Sequence, residues 1–303
     1  MDTSFFKGIV PPIATPIDEN EHVDEPRLRE HIDFMIERGV KGILAFGSNS
    51  EFYMMDKDEQ EPILKIILDQ VKGRVPVYMG VGTIRTKKCI ELALMGKEMG
   101  VNAVSVLQPM FLKPSEDELY THFASIADAL GDTPMLLYNN PGRTGYGISQ
   151  DLVYRLCHEK ENIIGMKDSS GDITQTEEFI RRNRDVNFKV MCGKDTAIYA
   201  GLAVGAVGAV CCTANFIPEL VCSIYDKFTS GDWKGALEAQ FRLNPIRLQM
   251  DKSSFPVAMK DCGNLLGRDL GKPFLPNKPS TASQLEGLKK VFIENGYTIS
   301  EEK

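Results

Sequence analysis

Eight short apolar runs punctuate the chain, and each is followed by a turn and then by apolar residues recurring every three or four positions. The runs are GIVPPI (8–13), KGILAFG (41–47), VPVYMGVG (75–82), NAVSVLQP (102–109), PMLLYNN (134–140), NIIGMKD (162–168), FKVMCG (188–193) and VGAVCCT (207–213). They do not alternate with polar residues, which predicts strands covered on both faces. Between them, EPRLREHIDFMIERG puts Leu28, Ile32, Met35 and Ile36 on one helical stripe and stops at Gly39. DKDEQEPILKIILDQVKG and SEDELYTHFASIADALG repeat the scheme, with an acidic first turn, an apolar stripe and a terminal glycine.

Strand–helix units spaced roughly 20 to 35 residues apart predict a (β/α)8 barrel over residues 1–226. An open doubly wound sheet would show fewer strands and a glycine-rich first turn, whereas the first run here leads into PPIATP. After residue 226 only helical patterns remain, in GDWKGALEAQFRLNPIRLQM and STASQLEGLKKVFIENG. Residues 227–303 are therefore expected to form a C-terminal helical appendage.

Composition narrows the class. With 303 residues and 43% hydrophobic content the chain can bury one large core or two modest ones. A net charge of −7, with Lys and Arg dispersed, argues against a nucleic-acid groove or an anionic membrane surface. No apolar stretch approaches the ~18 residues of a membrane span, and MDTSFFKGIVPP lacks the basic start and long apolar core of a secretory leader. Seven cysteines without C-x-x-C spacing read as small buried hydrophobes in a reducing compartment, so a cytoplasmic protein is expected. His22, His31, His122 and His158 show no metal-ligand spacing, and neither a metal nor a cofactor is expected.

In a barrel of this kind chemistry belongs at the C-terminal strand ends. The second strand runs into Gly47-Ser48-Asn49-Ser50-Glu51, the fifth into Tyr138-Asn139-Asn140-Pro141-Gly142-Arg143-Thr144-Gly145, and the sixth ends at Lys167. A lysine rimmed by a phenol, small hydroxyls and an arginine suits carbonyl activation. A neutral amine attacks a ketone, the iminium acts as an electron sink, and the phenol shuttles protons. Ser48, Asn49 and nearby backbone N–H groups suit a carboxylate. Each piece has a plainer reading: a snorkelling lysine, a helix cap by Ser50 or Asn49, an Asn-Pro turn. Their coincidence at three strand ends favours the chemical one.

These residues resemble the dihydrodipicolinate synthase and N-acetylneuraminate lyase superfamily of class I, Schiff-base aldolases. The likeness runs from GIVPPIATPID through GSNSE, YNNPGRTG and GMKDSSGD to GAVCCTANFIPE. It implies that Lys167 forms an imine with pyruvate or another 2-oxo acid and that Tyr138 transfers protons. It implies that Ser48 and Asn49 hold the pyruvate carboxylate, that Val210 offers a backbone contact near the imine, and that Arg143 binds a carboxylate on the aldehyde. It also implies a homo-oligomer, dimer or tetramer.

The sequence departs from the synthases in places. Met110 and Phe111 replace their usual pair of tyrosines, so Phe111 supplies no relay hydroxyl. Asn49 and Ser50 replace a threonine and a glycine, and Tyr53, Lys57, Ile84 and Met110 replace the usual groups of the lysine-feedback site. The expected function is a pyruvate-dependent aldolase or lyase acting with a small carboxylated or hydroxylated aldehyde. The alternatives are a 4-hydroxy-tetrahydrodipicolinate synthase using aspartate semialdehyde and, in another class, a silent binding protein on the same barrel. Lys167 and Tyr138 weigh against the silent one.

Overall fold

The computed structural model describes residues 2–300. Its strands are β1 (Gly8–Val10), β2 (Ile43–Ala45), β3 (Val77–Val81), β4 (Ala103–Leu107), β5 (Met135–Asn139), β6 (Ile163–Asp168), β7 (Lys189–Cys192) and β8 (Gly208–Val210). They form one sheet in the order β1-β8-β7-β6-β5-β4-β3-β2. β3 through β8 pair in parallel, and a parallel bridge joins Pro12 to Leu44. With helices between the strands and more after β8, this is the (β/α)8 barrel with C-terminal helices that the run spacing predicts.

Apart from Lys189, every strand residue is buried, as expected for strands covered on both faces. Several strands are shorter than their apolar runs. β1 ends at Val10 because Pro11 and Pro12 have no N–H to give a ladder. Lys167 is the penultimate residue of β6 rather than the last, since pairing continues to Asp168 and Cys192. In the helix Glu25–Glu37, Leu28, Ile32 and Met35 are buried as the stripe requires. Ile36 is only half-buried, while His31 and Phe34 lie inside.

By its internal contacts the chain divides into two compact units. The first comprises the chain up to Gly8 together with Pro76–Val210, and it holds β3 to β8. Its helices Thr86–Glu98, Glu116–Leu130, Gln150–Glu159 and Ile173–Arg182 alternate with those strands. Ser115 and Glu118 close a reciprocal cap, and Asp172 caps the helix after β6. Gly165 in β6 has no room for a side chain, because a Cβ there would stand 2.3 Å from the Lys189 carbonyl oxygen. That close approach sets β6, the strand that carries Lys167, against its neighbour.

The second unit runs from Ile9 to Val75 and resumes at Cys211, with the helices Glu25–Glu37, Lys57–Val71, Pro218–Thr229, Trp233–Met250, Val257–Leu265 and Ala282–Glu294. Its buried polar hub is Asn215. The amide nitrogen donates to the carbonyls of Pro12 (3.0 Å) and Cys212 (2.9 Å), and the amide oxygen accepts from the Ala14 N–H (2.9 Å). His31 Nε2 lies 3.1 Å from the same oxygen, and burial pushes this histidine down to about 4, so the ring is neutral at pH 7 and donates through Nε2. None of the seven cysteines forms a disulfide, and six are buried. Desolvation raises Cys157, Cys192 and Cys222 to about 12, which makes them inert packing groups. No helix among the described residues is long and apolar enough to cross a membrane.

Candidate active site

In the first unit β5 and β6 lie side by side in a register that makes Tyr138 and Lys167 direct partners. Successive strand residues face opposite ways, so partners in register present their side chains on the same face. Lys167 Nζ accordingly stands 4.1 Å from the centre of the Tyr138 ring. Both residues are 5% exposed. An amine and a phenol in contact, out of bulk water, are the groups that imine chemistry with proton transfer requires.

The residues around this pair are held by a buried polar scaffold. Asp168, next to Lys167, accepts from Asn139 Nδ2 (2.9 Å), the Ser170 N–H (3.1 Å), Ser170 Oγ (2.9 Å) and Thr176 Oγ1 (2.6 Å). Asn139, next to Tyr138, accepts the Ile148 N–H through its side-chain oxygen (3.0 Å). Its carbonyl accepts the Ser169 N–H (2.8 Å). Gln108, after β4, donates to the Tyr146 carbonyl (2.9 Å) and Thr144 Oγ1 (3.1 Å), and accepts the Asn140 N–H (3.2 Å). The lysine and the tyrosine thus sit beside residues held by several internal hydrogen bonds, an arrangement that fixes their geometry. Sequence reasoning missed Gln108, Asn139 and Asp168 as supports. Their only signal was polar side chains at the ends of apolar runs.

The stretch Pro141–Thr144 forms a single helical turn closed by Gly145 in the left-handed region (φ 84°), in place of an open Asn-Pro turn. Arg143 sits on that turn and is exposed. Val210 is the last residue of β8 and is buried. Phe111, at the expected relay position, is 97% exposed with φ 71°.

In the second unit Ser48 and Asn49 follow β2 within the 3-10 turn Ser48–Ser50. Both are buried, and the Asn49 amide oxygen is buried with no hydrogen-bond partner among the described residues. An unmet buried acceptor is costly and calls for a donor from outside the described residues. The capping role open to Ser50 and Asn49 is not realised. Ser50 Oγ donates to the Gly47 carbonyl (2.6 Å), and the helix Lys57–Val71 is capped by Asp56 with Glu59. The turn ends at Glu51 in the left-handed region (φ 60°), and the chain must pass through a second 3-10 turn before that helix begins.

Glu51 is itself a missed residue. Its side chain is fully buried, and so is that of Lys260, whose ammonium lies 2.9 Å from it. Glu51 also accepts the Phe274 N–H (3.0 Å), and Lys260 donates to the Lys272 carbonyl (2.6 Å). Burial pulls Lys260 below the usual lysine range, while the Glu51 charge and hydrogen bond oppose that pull. The sequence did carry a signal, a lysine inside the apolar stretch FPVAMKDCG.

Comparison with known proteins shows what the whole chain is similar to. The sequence model of the dihydrodipicolinate synthetase family matches residues 5–293. A 4-hydroxy-tetrahydrodipicolinate synthase of Trichlorobacter lovleyi is 36% identical over 289 residues, covering 95% of this chain and 98% of its own. Among solved structures, a dihydrodipicolinate synthase from Bacillus anthracis is 30% identical, superposes with a TM-score of 0.91, and is matched over 98% of its length and 95% of this chain. A prophage protein of the dihydrodipicolinic acid synthase family from E. coli K12, solved with pyruvate, is 29% identical with a TM-score of 0.92, covering 97% of this chain and 99% of its own.

Proposed function

We infer the reaction from a premise now in hand: this chain belongs to the dihydrodipicolinate synthetase family, and it is a lyase of that family's pyruvate-dependent, Schiff-base kind. Lys167 attacks the ketone carbon of pyruvate or another 2-oxo acid and gives a carbinolamine. Tyr138 then gives its phenolic proton to the departing hydroxyl, which leaves as water, so that an iminium and a phenolate remain. The phenolate takes a proton from the carbon next to the iminium, and the product is an enamine with the phenol restored. The enamine carbon attacks an aldehyde, whose oxygen takes the phenolic proton. Water then adds to the iminium and gives a proton back to the phenolate, and the carbinolamine collapses to release the product from Lys167. Run backwards, the same steps cleave a 4-hydroxy-2-oxo acid.

The observation that carries this reading is the contact between the Lys167 amine and the Tyr138 ring from partnered strand positions. Ser48 and Asn49 hold the 2-oxo acid's carboxylate through donors, the Ser48 hydroxyl and the Asn49 amide N–H, whereas the unmet Asn49 oxygen is an acceptor and calls for a donor instead. Val210 offers its backbone near the imine. Arg143, on its exposed turn, meets a carboxylate on the aldehyde from the solvent side. The second substrate is a small carboxylated or hydroxylated aldehyde. The protein works as a homo-oligomer, as the resemblance implies.

A second reading rests on the relatives, whose name is 4-hydroxy-tetrahydrodipicolinate synthase. It makes aspartate semialdehyde the aldehyde. Phe111 speaks for weak activity there, because it has no hydroxyl to pass a proton. Assays of purified protein with pyruvate and a panel of aldehydes, alongside cleavage assays on 2-oxo acids, separate the two. Turnover fastest with an aldehyde other than aspartate semialdehyde supports the first reading. Efficient condensation with aspartate semialdehyde alone replaces it with the second, and no turnover with any pair removes both.

A further inference from the structure

Asn140 follows Asn139 at the end of β5 and precedes Pro141, where an asparagine side chain ordinarily folds back to cap the helix it introduces. Here it makes no cap bond. Only its backbone carbonyl serves the turn, accepting from the N–H groups of Arg143 (3.0 Å) and Thr144 (3.1 Å). The side chain points elsewhere, and its amide nitrogen donates to the phenolic oxygen of Tyr138 at 2.8 Å. The backbone on which it stands is held by Gln108, which is fully buried and accepts the Asn140 N–H (3.2 Å). The preceding residue is tied to Asp168 and Ile148. The amide is therefore delivered to the phenol by a scaffold that a ligand need not assemble.

We propose that Asn140 is a positioning residue for Tyr138, whose amide N–H holds the phenolic oxygen and stabilises the phenolate formed between water loss and enamine formation. This rests on the reading of Tyr138 as the proton-transferring phenol. An amide nitrogen only donates, so it cannot draw the phenol's proton away from the reacting atoms. It strengthens as a donor when negative charge develops on the oxygen, since hydrogen bonds to ionised groups are the stronger kind. In the cycle above the phenol regains from carbon the proton it gave to water, so no onward acceptor is needed. A chain with phenylalanine at position 111 can work this way without a relay. The same position thus accounts for how the site copes without the second tyrosine.

The test follows exchange of the pyruvate methyl hydrogens with deuterated water by NMR, in wild type and in Asn140→Val and Asn140→Asp. Borohydride trapping at saturating pyruvate and thermal melting are measured in parallel. The valine variant should exchange roughly ten- to a hundred-fold more slowly, the usual effect of losing a hydrogen bond to a charged group. Its KM for pyruvate should stay near wild type, and borohydride should still label Lys167, though more slowly because the iminium forms together with the phenolate. The aspartate variant keeps the size of the side chain but turns the donor into an acceptor, so it should lose at least as much. Exchange within about twofold of wild type in either variant would overturn the proposal, since packing alone or an accepting amide would then suffice. Should the valine variant fail to fold, the isosteric aspartate decides. If the wild type traps no pyruvate, the reading of Lys167 falls first and the proposal falls with it. If it traps normally and the variants exchange normally, the proposal alone fails.

Discussion

Among the described residues two lysines are buried, Lys167 in the first unit and Lys260 in the second, and both come from apolar stretches of sequence. Their surroundings differ. Lys260 is fully enclosed, with a carboxylate and a carbonyl oxygen on its ammonium and the Phe274 ring 5.6 Å away. Lys167 lies against the face of a phenol. A buried lysine whose partners are a carboxylate and a carbonyl has its hydrogen-bonding capacity taken up by the fold and serves structure. An amine beside a phenol is placed for attack on a carbonyl. Burial of a lysine is therefore no guide to its role until its partner is known.

The comparison can be broken by variants. The largest expected effect is that of Lys167→Met, which removes the nucleophile. Activity should fall by on the order of 10⁵-fold or more while the melting temperature holds or rises, because a buried polar group has been replaced by an apolar chain of similar length. A melting temperature that falls sharply would make Lys167 a structural residue like Lys260. Next comes Tyr138→Phe, which keeps the ring under the amine and removes only the hydroxyl. Its kcat should drop by about 10² to 10⁴-fold with little change in KM, and near-normal turnover would mean that another group moves the proton.

Lys260→Met should show the opposite pattern. It leaves the Glu51 carboxylate buried and unpaired, at a cost of about 3–5 kcal/mol, and thermal melting should fall by on the order of 10 °C. Adding Glu51→Gln should restore part of the loss, since both charges are then gone. If the single variant melts like wild type, the ion pair is not the brace it looks to be. The smallest effect belongs to Arg143→Ala. Because Arg143 is exposed, its contact with a carboxylated aldehyde should contribute only about ten-fold in kcat/KM. Uncharged aldehydes and pyruvate imine formation should be untouched, and an equal loss for all aldehydes would remove the case for a carboxylated second substrate.

Much of the fold was legible because strands buried on both faces write themselves as unbroken apolar runs. The spacing of those runs carried the barrel, and polar residues at their ends marked Lys167, Tyr138 and Ser48-Asn49. Local competition was harder to read. The prolines after Val10 cut the first strand short, and Glu51 in the left-handed region kept Ser50 from capping a helix. What sequence reasoning could not reach were partnerships made at a distance. Glu51 meets the Phe274 N–H across 223 positions, and Gln108 meets Asn140 across 32. No periodicity encodes either pairing, because each depends on where strands and loops lie after folding. Asn140 shows the same limit at short range. Its neighbourhood reads as an ordinary turn, and only the direction of the side chain links it to the phenol.

The central claim is that the lysine against the phenol, and not the lysine against the carboxylate, carries the chemistry. Incubation with pyruvate, reduction with borohydride, digestion and peptide mass spectrometry test it in one measurement. The account predicts one reduced pyruvate adduct, on the peptide that contains Lys167, and none on the peptide that contains Lys260. An adduct on any other lysine, or none under conditions that trap a known Schiff-base aldolase, would contradict it.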